Sequence, residues 1–203
     1  MSGALDYHRA TNVAAGSTDE DEVRTIETKP SVFKDYGDAE RVPLAMTRAG
    51  GLLYSGAGVV RSQHRRDYGG GTIHWRAYSS AGALFPVEAY VAAAGALYSF
   101  DPLTPGLVRI GGDVRERLGI AAYETIVLTG IHARTGWKYM ERGYRHVWWD
   151  AGTMLANLLA LAAAEGHEPR LYTAFVDAEV NEVLGIDGET EYALALLGLG
   201  AAA

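Results

Sequence analysis

The chain has 203 residues, 48% of them apolar and 21% charged, enough for one domain with a buried core and far from the composition of a disordered chain. Eighteen Lys and Arg against twenty-five Asp and Glu give a net charge of −7, which speaks against nucleic acid as the main partner. Cysteine is absent, so disulfide frameworks, thiolate metal sites and a cysteine nucleophile are excluded, in keeping with a reducing cytoplasm.

In chain order, Met1 to Asp6 has neither the basic nor the apolar region of a signal peptide. Tyr7 to Asn12 can form a first helical turn, and the polar stretch after it carries Asp19-Glu20-Asp21-Glu22, a solvated run. Pro30 and Pro43 disfavour helix further on, so residues 1–50 read as an extended arm that wraps the body, its own or a partner's. Residues 51–203 form the body. Val87 to Ala93 and Ala96 to Phe100 read as strands joined at Ala94-Gly95, and Leu107 to Ile110 continues the hairpin pattern. Asp113 to Leu118 reads as a short helix capped by Asp113. Glu124 to Thr129 is a strand with two apolar faces, as expected at the centre of a sheet.

The strongest helical pattern runs from about Glu141 to Ala164, with Tyr144, Trp148, Ala151, Leu155, Leu158 and Ala162 on one stripe. Val147, Met154, Leu159 and Leu161 cover other faces, which predicts a helix buried nearly all round, partly by a second subunit. Asp150 and Asn157 interrupt the apolar run, which marks a core helix rather than a membrane span. Residues 170–175 read as strand or loop, Asp177 to Leu184 as a short amphipathic helix, and Glu189 to Leu199 as a closing strand.

Three stretches can carry chemistry. Between residues 61 and 76, Arg61, Arg65, Arg66 and Arg76 face the single acid Asp67, a local reversal of charge that suits an anion, because guanidinium forks match phosphate geometry. Gly69-Gly70-Gly71 would let that segment close over its ligand. Ser79-Ser80-Ala81-Gly82-Ala83 leads into a strand with side chains small enough for backbone amides to approach a flat ring, and with two hydroxyls to add. Lys138-Tyr139 follows the central strand. A partly buried Lys is drawn toward its neutral amine, so the pair can act as acid and base, although a snorkelling Lys beside a core Tyr has the same sequence. The six histidines show no ligand spacing, and no metal is expected.

Ser80-Ala81-Gly82-Ala83-Leu84-Phe85-Pro86-Val87-Glu88 resembles the Ser-Ala-Gly-Ala-Leu-Tyr-Pro-hydrophobic-Glu segment of the SagB-type dehydrogenases, within the FMN-dependent nitroreductase superfamily. Trp137-Lys138-Tyr139 with Glu141-Arg142-Gly143-Tyr144-Arg145 is similar to that family's Lys-Tyr motif and its continuation. Asp150-Ala151-Gly152 with Asn157-Leu158 resembles its long helix, Ala174-Phe175-Val176-Asp177 its C-terminal segment, and Tyr7-His8-Arg9-Ala10-Thr11 its N-terminal echo. The resemblance implies an α+β sandwich, a central mixed or antiparallel sheet flanked by helices, and an intertwined homodimer with FMN at the subunit interface. It implies Lys138 and Tyr139 as the catalytic pair, Ser79, Ser80, Ala81, Gly82 and Ala83 as the flavin-contacting turn, and Thr173, Ala174 and Phe175 near the ring edge. The expected reaction is oxidation of a thiazoline or oxazoline in a peptide-derived or related small molecule, alone or with biosynthetic partner proteins.

The family's arginine-rich segment ahead of the first helix has no counterpart in Arg41 to Gly51; Arg61, Arg65 and Arg66, with Arg76, have its composition at a different place. That departure keeps two other readings in view, a flavin-free scaffold subunit and a nitro or quinone reductase.

Overall fold

The computed structural model describes residues 2–12, 28–65 and 71–200, so Asp19 to Glu22 and Arg66 to Gly70 lie outside the described residues. Its elements in chain order are α1 (Ser2–Ala10), β1 (Arg41–Val42), α2 (Arg48–Ala57), β2 (Val59–His64), β3 (Thr72–Arg76), β4 (Val87–Ala93), β5 (Ala96–Asp101), β6 (Gly106–Gly112) and β7 (Glu124–Gly130). They continue with α3 (His132–Tyr139), α4 (Gly143–Ala164), β8 (Pro169–Tyr172), α5 (Asp177–Leu184) and β9 (Tyr192–Leu199).

Seven strands form one sheet in the order β1-β6-β5-β4-β7-β9-β8, antiparallel at every pairing. The fold is therefore the expected α+β sandwich with an antiparallel sheet. Every residue of β4 and β7 is buried, which is why neither strand shows a polar face in the sequence. The register sorts their side chains onto two cores. Val91, Ile126 and Leu197 lie in one row and pack under α2 and α4, whereas Tyr90, Val127 and Leu196 lie in the adjacent row and pack under α5. Each such fully buried aliphatic side chain contributes roughly 1.5–3 kcal/mol over its exposed state.

The helices depart from the sequence expectations in three places. Asp113 to Leu118 forms turns, not a helix. Asp113 accepts the amide of Arg115 (3.1 Å) and pairs with its guanidinium (2.6 Å), a local closure that competes with helical capping. The helix expected from about Glu141 is α4, which starts at Gly143; the unexpected element is α3 ahead of it, joined to α4 by a single 3-10 turn at Met140–Arg142 where Met140 has φ of 50°. The two cross closely: a Cβ on Gly143 would lie 2.6 Å from the Gly136 nitrogen. α4 also buries one stripe rather than its whole surface. Val147, Ala151, Met154, Leu158 and Ala162 face the sheet, while Trp148 and Trp149 are 44% and 50% exposed. The stretch His132–Ala164 is long and apolar enough to cross a membrane by length and composition, but this stripe is occupied by the core.

The arm is ordered where it is described. α1 docks on the start of α4, with Arg145 donating to the His8 carbonyl (2.6 Å) and Arg142 to the Thr11 carbonyl (2.9 Å). From Ser31 onward the chain crosses the α5 face of the sheet. There Lys34 donates to Tyr90 and to Glu191 (2.6 Å), and Glu191 also accepts from Tyr90 (2.8 Å) and Thr129 (2.6 Å). The boundary at residue 50 falls inside α2, which starts at Arg48 because Thr47 caps it (Gly50 amide to Oγ1, 2.9 Å). Buried Glu124 adds a second cap from β7, accepting the Arg48 and Ala49 amides at 3.2 and 2.8 Å.

Candidate active site

The segment Ala77 to Pro86 turns the chain from β3 into β4, and it is unusual backbone: Gly82, Ala83 and Phe85 have φ of 64°, 53° and 43°. Such values cost an L side chain of order 1 kcal/mol each and persist only where the surroundings fix them. The fixing groups come from α4. Residues 150, 153 and 157 share one helical face. Asn157 donates to the Ala77 carbonyl (2.9 Å), Thr153 donates to the Ser79 carbonyl (2.9 Å), and Asp150 accepts the Ala81 amide (3.4 Å). Within the turn, the Phe85 amide donates to Ser80 Oγ (2.8 Å).

α3 brings Lys138 and Tyr139 against this turn. A Cβ on Gly82 would sit 3.0 Å from Tyr139 Oη and 3.3 Å from Lys138 Nζ, closer than most side chains pack, and the φ of 64° itself favours glycine. Arg134, one turn earlier on α3, sets the position. It is 3% exposed, pairs with Glu88 of β4 (2.5 Å), and donates to the carbonyls of Phe85 (2.8 Å) and Ser31 (2.9 Å). One guanidinium thus ties the arm, the end of the turn, the sheet and α3 together. Sequence reasoning passed over Arg134 and Thr153, quoted Glu88 only as part of a motif, and missed the clamp role of Asp150 and Asn157. Their signal was present as charged or polar residues inside otherwise apolar elements.

The surroundings of the pair are aromatic and cationic. Lys138 Nζ lies 5.5 Å from the Tyr139 ring centroid, and the Tyr139 ring lies 4.2 Å from that of His146. Burial, then the charge of Arg142, pushes the His146 imidazole below its ordinary value. The arm enters here too: Trp137 Nε1 donates to Thr28 Oγ1 (3.1 Å), and burial followed by the charge of Lys138 lowers Lys29. Burial raises Asp150 to about 6, against the lowering effect of the Ser80 hydroxyl and the Ala81 amide.

Other candidates are placed differently. Arg76 is 6% exposed, donates to the Val32 carbonyl (2.7 Å) and lies between the rings of Phe33 (5.1 Å) and Phe85 (4.8 Å), so it braces the arm, while its Nε is buried without a partner. Arg61 and Arg65 belong to or follow β2, which pairs only with β3 as a separate two-stranded sheet. Arg61 is exposed and stacks on Trp75 (3.9 Å), while Arg66 lies outside the described residues. At about 3.3 Å per residue, a hairpin whose end pairs Arg65 with Gly71 carries that residue about 20 Å from Ala77. Ser79 to Ala83 border the core under α4, whereas Phe175 packs into the opposite core with Tyr172 and Val180, and Thr173 and Ala174 are exposed beside it. Within one chain, the turn and Thr173–Phe175 are therefore on opposite faces of the sheet. Among the described residues no cluster of His, Asp and Glu could hold a metal ion.

Residues 73–201 match the nitroreductase family model. A Methanocaldococcus jannaschii protein described as a nitroreductase, MJ1384, is 27% identical over 174 residues, 78% of this chain and 81% of that protein. A crystal structure of a nitroreductase from Anabaena variabilis superposes with a TM-score of 0.85 at 28% identity, covering 97% of this chain and 45% of the other, so this chain spans less than half of that protein's length. A chain of the Escherichia coli microcin synthetase McbBCD complex, solved with truncated pro-MccB17 bound, shares the fold at a TM-score of 0.65 and 19% identity, covering 98% of this chain and 81% of its own. The sheet order, the α3–α4 pair and a match over more than half of the sequence lead to one assignment: the chain belongs to the nitroreductase family, a family of oxidoreductases.

Proposed function

We propose that the protein is an FMN-dependent dehydrogenase of the SagB type, oxidising a thiazoline or oxazoline in a peptide-derived or related small molecule. The observation that carries this reading is the contact at Gly82, where left-handed backbone closely meets Lys138 and Tyr139. The residues suit the ring half of FMN. Ser79 to Ala83 would hold it through close-approach backbone, and Asp150 Oδ2 and Tyr78 Oη nearby are buried polar atoms without partners. When bound, FMN supplies the two-electron acceptor. Lys138 takes the proton that leaves the carbon next to the site of hydride loss, and Tyr139 orients the Lys138 side chain. The phosphate half would draw on Arg61, Arg65 and Arg66, with a second copy supplying those that the hairpin carries away from the turn.

Within one chain Thr173 to Phe175 do not reach such a site, so keeping them at the ring edge requires a second copy, as in the homodimer of this proposal. The shared fold with a chain of the microcin synthetase, whose complex holds truncated pro-MccB17, supports extending the proposal to partner proteins and a peptide-derived substrate.

Titration with FMN tests the cofactor: bound oxidised flavin absorbs near about 450 nm. Loss of two hydrogens from a thiazoline-bearing peptide then tests the reaction. Lys138→Ala is expected to retain fold and flavin and to lose turnover; parallel loss of stability would make the residue structural. Protein that stays colourless in excess FMN would favour the scaffold reading, to which the structural use of Arg76 lends support. Turnover of a nitro compound or quinone with NAD(P)H, and none of azolines, would favour the reductase.

A further inference from the structure

Asp150 takes no part in the chemistry above, yet it lies directly under the turn. Only 4% of it is exposed. One carboxyl oxygen accepts the Ala81 amide at 3.4 Å, while Oδ2 is buried with no partner at all. Among the described residues no cation pairs with it. The ionisable groups around it are Tyr78, buried with an unpartnered hydroxyl and pushed up to about 12 by burial; Lys138 and Tyr139 across Gly82; and His146 one turn earlier on α4. A carboxylate in such a place has lost its water and gained neither a counter-charge nor a full set of donors, an expensive combination. The same oxygen carrying a proton is far cheaper.

The two other members of the α4 clamp, Thr153 and Asn157, cannot titrate. They hold Ala77 and Ser79 at any pH. Asp150 holds the next stretch, Ser80 and Ala81, and the residue after them is Gly82, against which Lys138 and Tyr139 rest. We propose that Asp150 is a positioning residue that works as a neutral carboxylic acid, keeping Ser80 to Gly82 in register with Lys138 and Tyr139, and that its ionisation draws in water and loosens this one segment. The functional consequence rests on the dehydrogenase reading; the structural one does not. With the carboxyl raised to about 6, the change falls between about pH 5 and 7.

Hydrogen exchange of the Ala81 and Phe85 amides in the protein without added flavin, followed from pH 4.5 to 8 and corrected for intrinsic rates, tests the inference. Protection of Ala81 is expected to fall about tenfold or more as pH rises through this range. In Asp150→Asn, which keeps the shape without the charge, it should be independent of pH. In Asp150→Ala it should be low throughout, and if that variant does not fold the Asn variant alone decides. A flat parent profile, or an Asn variant that retains the parent's dependence, would overturn the proposal and pass the titration to His146 or another group. FMN affinity is measured in parallel. Absence of flavin binding would sink the redox reading and leave the exchange result free to decide the role of Asp150.

Discussion

Between Ala77 and Phe85 the backbone is gripped from three sides, by the α4 clamp, by Arg134 on α3 and by Ser80 within the turn. The β2–β3 hairpin just before it pairs only with itself, and β2 is exposed along nearly all its length. Both segments carry residues that the sequence nominates for one ligand, yet one is held in place by buried polar groups and the other is not. The difference teaches where pre-organisation was built in: strained backbone with left-handed residues persists at the turn because each departure is over-determined, whereas Arg61 on the hairpin is exposed and stacks on Trp75.

Several substitutions would break or sharpen this contrast. Arg134→Ala has the largest expected effect on stability, about 3–5 kcal/mol in urea unfolding, because it strands the buried Glu88 carboxylate and frees the Phe85 and Ser31 carbonyls. An unfolding midpoint within experimental error of the parent would mean that the turn is not held from this side. Asp150→Asn acts in the other direction above neutrality. Folding raises this carboxyl from 3.8 to about 6, so the folded state binds the proton more tightly; the stability it brings is complete below about pH 4 and lost as pH rises through about 6. Relative to the parent, the Asn variant should thus gain roughly 2–3 kcal/mol between pH 4 and pH 7.5, read as diverging thermal melts.

Gly82→Ala should cost about 1–2 kcal/mol, from a φ of 64° and a Cβ that meets Tyr139 Oη at 3.0 Å, and should weaken FMN binding more than its stability loss accounts for. Arg61→Ala sits at the small end, within about 0.5 kcal/mol in stability, since the side chain is exposed and touches chiefly Trp75. Its FMN dissociation constant is the informative quantity: an unchanged value would remove the hairpin from the phosphate site.

The central strands were legible in the sequence because period and burial agree there. β4, β5, β7 and β9 combine β-branched or apolar runs with turn residues at their ends, and α5 has a clean amphipathic stripe. α3 was not legible as a separate helix. It is eight residues long, contains Gly136, and is stabilised by what Arg134 and Thr135 reach rather than by its own propensity. The turn and the Lys138–Tyr139 pair were nominated separately, and their meeting at Gly82 is a tertiary fact that spacing could not supply. Asp150 and Asn157 were noticed only as interruptions of an apolar run. A charged or amide group that survives inside such a run is a pointer to the backbone it serves, and here both serve the same turn.

The arm has a consequence for how this protein can be handled. Residues matching the family begin at 73, but Ser31 and Val32 supply the carbonyls that Arg134 and Arg76 bond, and Lys34 is the cation beside Glu191. A fragment cut to the family's limits would take from Arg134 and Arg76 their carbonyl partners in the arm and from Glu191 its cation, although Arg134 would keep Glu88 and Phe85, and would also lose α2 from the roof of the core. Excision at that border is therefore expected to cost stability, so the arm and α2 belong in any minimal version of the protein.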